Sequence, residues 1–310
     1  MHRFFAGLFS LLFAGLAFGQ GNAQAQRDLI DAQIARFPAQ AGSGPHVYFL
    51  GFAGHGDQRV FAEEIKLAAR NVGNMYGSAQ HSVLLLNDRR DLTTYPSATE
   101  PTLRYSLNAL GRVMNRDEDV LFLALSSHGS PDATIDVSNE GMESQPLGAV
   151  TLAELLAESG IRWKVIVISA CFSGAFIEPL ADDHTIVITA ASKNRTSFGC
   201  SDTSELTYFG EAFYRDSLPG SSQLRTAFET AKREIRHREK EEGVRASKPQ
   251  GYFGPLMEAK LLEMVPGRIG IRLDHKTAYM IRAADLPVPM TVDETVGRLR
   301  SLQEAGMQTR

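Results

Sequence analysis

Apolar residues along this chain fall into two kinds of segment. Short uninterrupted runs, rich in β-branched residues, occupy 46–51 (HVYFLG), 82–86, 119–126 (DVLFLALS), 164–169 (KVIVIS) and 185–191 (TIVITAA). Such runs predict strands buried on both faces. Between them apolar residues recur every three or four positions, as at Phe61, Ile65, Ala68 and Val72. That period predicts helices over 60–72, 103–113, 151–159, 205–214 and 223–242. Thr151, with Glu154 three residues on, has the form of a capping box. Residues 26–45 read as a short helix around Leu29, Ile30 and Ile34, then a Gly/Ser/Pro linker. Residues 133–146 read as a small hairpin around Asn139-Glu140-Gly141, and 251–262 as holding a last strand. The mixed-sign run 232–242 reads as a solvated helix face, and 266–310 as a tail with a helix near 292–302. Strands alternating with helices predict an α/β fold with a mostly parallel central sheet covered on both faces.

The first 25 residues stand apart from this pattern. His2 and Arg3 precede 15 uncharged residues, 4–18, and then Ala23-Gln24-Ala25. This is the form of a secretory signal peptide cut after Ala25, and the apolar run falls short of the ~20 residues of a spanning helix. The expectation is an exported protein, periplasmic or secreted, with no stable membrane anchor after cleavage. With 32 Lys+Arg against 36 Asp+Glu the formal charge is −4, which gives no electrostatic footprint for nucleic acid. Two cysteines are too few for a disulfide scaffold or a cysteine-rich zinc site. H-E-x-x-H, a phosphate loop, a dinucleotide fingerprint and G-x-S-x-G are all missing.

The candidate chemistry lies where two of the predicted strands end. One runs into Ser126-Ser127-His128-Gly129-Ser130, the next into Ser169-Ala170-Cys171-Phe172-Ser173-Gly174. In open α/β sheets, sites form at the carboxyl ends of the strands. Neighbouring strands in a simple parallel order would bring His128 and Cys171 together. A thiol is a weak nucleophile until it loses its proton, and an adjacent imidazole takes that proton. The glycines that follow let backbone N–H groups approach a substrate oxyanion. His55, in the glycine-rich loop 51–57, is a rival histidine without so good a strand context.

These paired motifs resemble the legumain family of cysteine peptidases. The similarity continues through Thr189 to Cys200 (TAASKNRTSFGC) and Tyr208-Phe209-Gly210-Glu211, and covers about 46–265. It implies a caspase-like three-layer α/β/α sandwich. The corresponding organisation is a signal peptide at 1–25, an N-terminal helix and linker at 26–45, a peptidase domain at 46–265 and a tail at 266–310. It implies an exported endopeptidase with Cys171 as nucleophile, His128 as its catalytic partner and the N–H groups of Gly129 and Cys171 as the oxyanion hole. Arg59, Glu211, Ser197 and Ser169 would line the pocket for the residue before the cleaved bond, Asn or Asp. Asp57 would support the histidine, and an acidic residue there would raise the pKa of His128. The partner is a peptide or protein, and the chemistry needs no metal or organic cofactor.

This chain departs from the family where Ser169 replaces a glutamate, which removes one pocket carboxylate, and where Glu211 replaces an aspartate. A Cys171–Cys200 disulfide is conceivable in an exported protein. The resemblance instead implies that Cys200 is buried and reduced near the pocket. Two other readings fit the same residues: a transpeptidase or transamidase working through the same acyl-enzyme, and an inactive peptide-binding relative.

Overall fold

A computed structural model describes residues 22–38, 44–139, 145–201 and 203–264. Six strands form the central sheet: β1 (Val47–Ala53), β2 (Ser82–Leu86), β3 (Val120–Ser126), β7 (Trp163–Ser169), β8 (Thr185–Thr189) and β9 (Gln250–Phe253). Their order is β2-β1-β3-β7-β8-β9, and all pairs are parallel except β8–β9. Three two-residue strands, β4 (Gly129–Ser130), β5 (Thr134–Ile135) and β6 (Leu147–Gly148), form a small antiparallel sheet beyond the end of β3. The expected hairpin is therefore β5–β6; its tip, 140–144, lies outside the described residues.

Side chains alternate across the main sheet, so each strand feeds two cores. Val120, Phe122 and Ala124 of β3 join one cluster with helix α2 (Arg59–Tyr76), α7 (Leu224–Glu241) and α8 (Pro255–Met264). Leu121, Leu123 and Leu125 face the opposite layer. That layer holds α1 (residues 22–34), α3 (Glu100–Val113), α4 (Ala149–Ser159) and the short α5 (Ile177–Leu180). Because both faces are covered, the strands are apolar throughout, which is why they read as continuous runs. The architecture is the expected three-layer sandwich.

Three details differ from the sequence reading. Helix α1 is part of the domain: Ile30 is fully buried, and Gln33 exchanges hydrogen bonds with the backbone of Leu84. Helix α4 starts at Ala149 with Gly148 as its cap and no side-chain capping bond, so Thr151 lies inside its first turn. The capping box belongs to α3, where Thr99 and Thr102 bond reciprocally. Finally, the last strand is only Gln250–Phe253, and α8 follows it. Residues 1–21 of the expected signal segment 1–25, and the expected tail 266–310 with its helix, lie outside the described residues, while residues 22–25 form the start of α1.

Leu123 sits fully buried at the middle of β3, between β1 and β7. Leu123→Ala is expected to cost about 2–5 kcal/mol, seen as a lower denaturant midpoint at unchanged slope. A loss below about 1 kcal/mol would contradict close packing there.

Candidate active site

The carboxyl ends of β1, β3 and β7 are adjacent, and the chain reverses its direction of strand addition at β1/β3. Such switch points leave a crevice. Ser126 of β3 pairs in register with Ser169 of β7. His128 and Cys171 each lie two residues beyond that pair, so they leave the sheet at one level. The two loops then touch. A Cβ built on Gly129 would fall 2.0 Å from the Cys171 carbonyl oxygen, so only glycine permits this approach. Asp136 N–H donates to the His128 carbonyl across β4–β5 (2.9 Å), which leaves the Gly129 N–H directed away from β5. Phe172, next to Cys171, takes the left-handed conformation at φ 58°, and its N–H donates to the Arg195 carbonyl (2.7 Å), closing a sharp turn.

The thiol of Cys171 rests on Ser197. The Ser197 N–H donates to Sγ at 3.3 Å, and the Ser197 carbonyl and hydroxyl oxygens lie 3.6 and 3.7 Å away. The imidazole of His128 is held by Gln58, whose Oε1 accepts from Nε2–H at 2.7 Å. That tautomer leaves Nδ1 as the proton acceptor. The ring packs edge-on against Phe61 and His55, with centroids 4.9 and 4.7 Å away. Burial lowers the pKa of His128 below 6.5, the charge of His55 lowers it further, and Asp136 opposes both.

Not every expected residue joins this group. Asp57 is half-exposed and binds Arg89 at 2.8 Å; its neighbour Gln58 reaches the histidine instead. Successive side chains at a helix entry point different ways, so a one-residue step decides which of them faces the ring. Arg59 opens α2, is 64% exposed, and among the described residues pairs with Glu63 at 3.7 Å. Glu211 begins a π-helical stretch, Glu211–Ser217, where it binds Arg215 and, at 2.7 Å, Arg238. Two guanidinium groups already occupy that carboxylate. Ser169 is buried and shares a hydrogen bond with Thr207 (3.2 Å). Cys200 is a free thiol, pushed up to about 12 by burial.

Glu64 is a residue the sequence reading passed over. It comes from α2 and is fully buried behind the ends of β3 and β7. Ser126 donates to its Oε1 at 3.1 Å, Thr207 donates to Oε2, and the Ser169 hydroxyl joins the network through Thr207. Gly210 makes room for it: a Cβ there would meet Oε2 at 2.2 Å. A carboxyl group thus stands beside Ser169 after all, delivered from a different element. A signal for it exists in the helical period, since Val60, Glu64 and Ala68 share one stripe of α2.

A model of the Peptidase C13 family matches residues 103–259. This chain belongs to that family, the legumain family. The family is one of cysteine peptidases, and the sheet and flanking helices are those of its caspase-like fold. The matched span contains β3, β7 and both loops that carry His128 and Cys171. No curated protein matches the chain. No helix among the described residues is long and apolar enough to cross a membrane, and no cluster of three metal-ligating side chains occurs among them.

Burial raises the pKa of Glu64, opposed by the three hydroxyls. A carboxyl raised on folding favours the native state below its unfolded pKa, and that contribution fades as pH rises through the folded pKa. Wild-type stability should therefore decline above about pH 4.5 by a component that Glu64→Gln lacks. Melting curves of both proteins across pH test this, and parallel pH profiles would contradict it. Glu64→Ala, which leaves hydroxyls unpaired, is expected to cost about 1–3 kcal/mol.

Proposed function

We propose that this protein is a cysteine endopeptidase that hydrolyses peptide bonds through Cys171 and His128. The observation that carries the reading is the direct contact of the two loops, made possible by Gly129 at the level set by Ser126 and Ser169. His128 Nδ1 takes the thiol proton as Sγ attacks the scissile carbonyl carbon. The carbonyl π electrons move to oxygen, and that oxyanion accepts from the N–H groups of Gly129 and Cys171. When the tetrahedral centre collapses, the C–N bond breaks and the imidazolium hands its proton to the leaving amine. Water, deprotonated by His128, then attacks the thioester; the C–S bond breaks, releasing the acid and regenerating the thiol. No step requires a metal or an organic cofactor.

The preferred residue before the cleaved bond is small and polar or acidic, Asp or Asn. Arg59 stands one residue after Gln58, which holds His128, and among the described residues it makes one long ion pair, with Glu63. We take its guanidinium to reach a substrate side-chain oxygen, although it does not contact the loops themselves. Glu211 is neutralised by Arg215 and Arg238, which leaves less attraction for a donating amide nitrogen. This balance favours acceptors over donors. Export belongs to the same proposal: cleavage after Ala25 would make Gln26, whose side-chain oxygen accepts from Ser97 N–H, the first residue.

A fluorogenic peptide library under reducing conditions tests the reading. Cys171→Ala and His128→Ala should each lower turnover by roughly 10³-fold or more; cleavage that survives Cys171→Ala would overturn it. Arg59→Ala should lower kcat/KM for Asp or Asn peptides by about 10–100-fold, the worth of a charged hydrogen bond. Glu211→Gln should change it by less than about threefold. The reverse order would restore Glu211 as the pocket's recognition group.

A further inference from the structure

The mechanism above uses His128 but leaves its nearest polar neighbours without a role. Gln58, which holds Nε2, is neutral, and no carboxylate among the described residues is hydrogen-bonded to the His128 ring. A carboxylate stands one ring further out. Asp136 lies just past β5, and its Oδ2 is 2.7 Å from His55 Nδ1. Ser138 donates to the same carboxylate oxygen, and its hydroxyl lies 2.8 Å from His55 Nδ1. The His55 ring then meets His128 edge-to-face at 4.7 Å. The backbone ties these groups together: Asp136 N–H bonds the His128 carbonyl, Ser127 Oγ donates to the Asp136 carbonyl, and Ser138 N–H bonds the Gly54 carbonyl. This holds the carboxylate at a fixed place relative to the His128 ring.

We propose that His55 and Asp136 form a second histidine–carboxylate pair that sets the charge state of His128, as positioning residues acting through the ring they touch. Asp136 attracts a proton toward His128, and positive charge on the adjacent His55 ring repels one, so the pair sets how readily His128 takes a proton. The other titratable group the mechanism sets against His128 is the Cys171 thiol, which Cys171→Ala removes. Phe61 and Gln58 cover it from the α2 side, and Asp57 is spent on Arg89. The His55 side chain is mostly buried and His128 is half-buried, which limits how far solvent and salt screen the coupling. The arrangement supplies through His55 the negative partner that Gln58 cannot.

The proposal rests on His128 as the catalytic base, but its test reads the imidazole directly. Ring resonances of His128 are followed by NMR against pH in the Cys171→Ala protein, alone and with His55→Gln, Asp136→Asn or Asp136→Glu. His55→Gln removes a neighbouring positive charge and should raise the His128 midpoint. Asp136→Asn removes a negative one and should lower it. Each shift should be about 0.5 pH unit or more. Asp136→Glu keeps the charge and should stay closer to the unsubstituted protein than Asp136→Asn does. In the proteins with Cys171 intact, the acid limb of kcat/KM should move with the same signs. Shifts in one common direction would mean simple repacking, and no shift would mean no coupling; either result overturns the proposal. If peptide cleavage depends on Cys171 while the midpoints stay put, only this pair is refuted. If the midpoints move but no peptide is cut, the peptidase reading fails by itself.

Discussion

Parallel, in-register pairing of β3 with β7 is the constraint on which the rest of the site depends. Seven consecutive residue pairs, from Val120–Trp163 to Ser126–Ser169, fix the two strands against each other. Each strand is buried on both faces, so a slip by one residue would drive every inward side chain into the wrong layer. The pairing therefore holds the histidine loop and the cysteine loop at one height. Gly129 then lets the two backbones close to contact, where any side chain would collide with the Cys171 carbonyl. What the two loops do chemically follows from this approach and from the tautomer that Gln58 selects.

Polar groups behind the loops carry a cost that the fold meets locally. Glu64 is buried beneath the strand ends, where an unpaired carboxyl would be expensive. Hydroxyls of Ser126 and Thr207 bond it, and Ser169 is bonded in turn to Thr207; these come from β3, the entry to α6 (Tyr208–Gly210) and β7. The network links both loop-bearing strands to α2, the helix that also supplies Gln58 at its cap and Phe61 against the His128 ring. One helix thus locks the geometry from behind and from the side. The Glu64 network and the His55–Asp136 pair share no hydrogen-bonding residue, so substitutions in one should be separable from those in the other.

Much of this was legible in the sequence because the strands are continuous apolar runs and the helices keep a clean period. The runs ending at Ser126 and Ser169 put His128 and Cys171 at adjacent strand ends, with His55 kept as a rival, and the structure brings their two loops together. The misses are local and have physical reasons. Thr151 looked like a cap, but the chain turns into α4 two residues earlier, at Ala149. Asp57 looked like the histidine's support, yet Arg89, 32 residues away, claims it, and no local pattern announces that pair. Glu211 reads as a free pocket acid until Arg238, from the far end of α7, closes on it. Glu64 was the recoverable miss: a carboxylate on the apolar stripe of a helix is a buried group in search of partners.

The most direct test of the account is covalent capture. A peptide carrying a thiol-reactive electrophile in place of its scissile bond is incubated with the reduced protein, and the adduct is mapped by mass spectrometry. The account predicts one adduct, on Cys171, lost in His128→Ala, while Cys200, partly buried and with its pKa pushed up to about 12, stays unmodified. An adduct on Cys200, or no adduct on correctly folded protein, would contradict the central claim that the β3 and β7 loops build a working nucleophile.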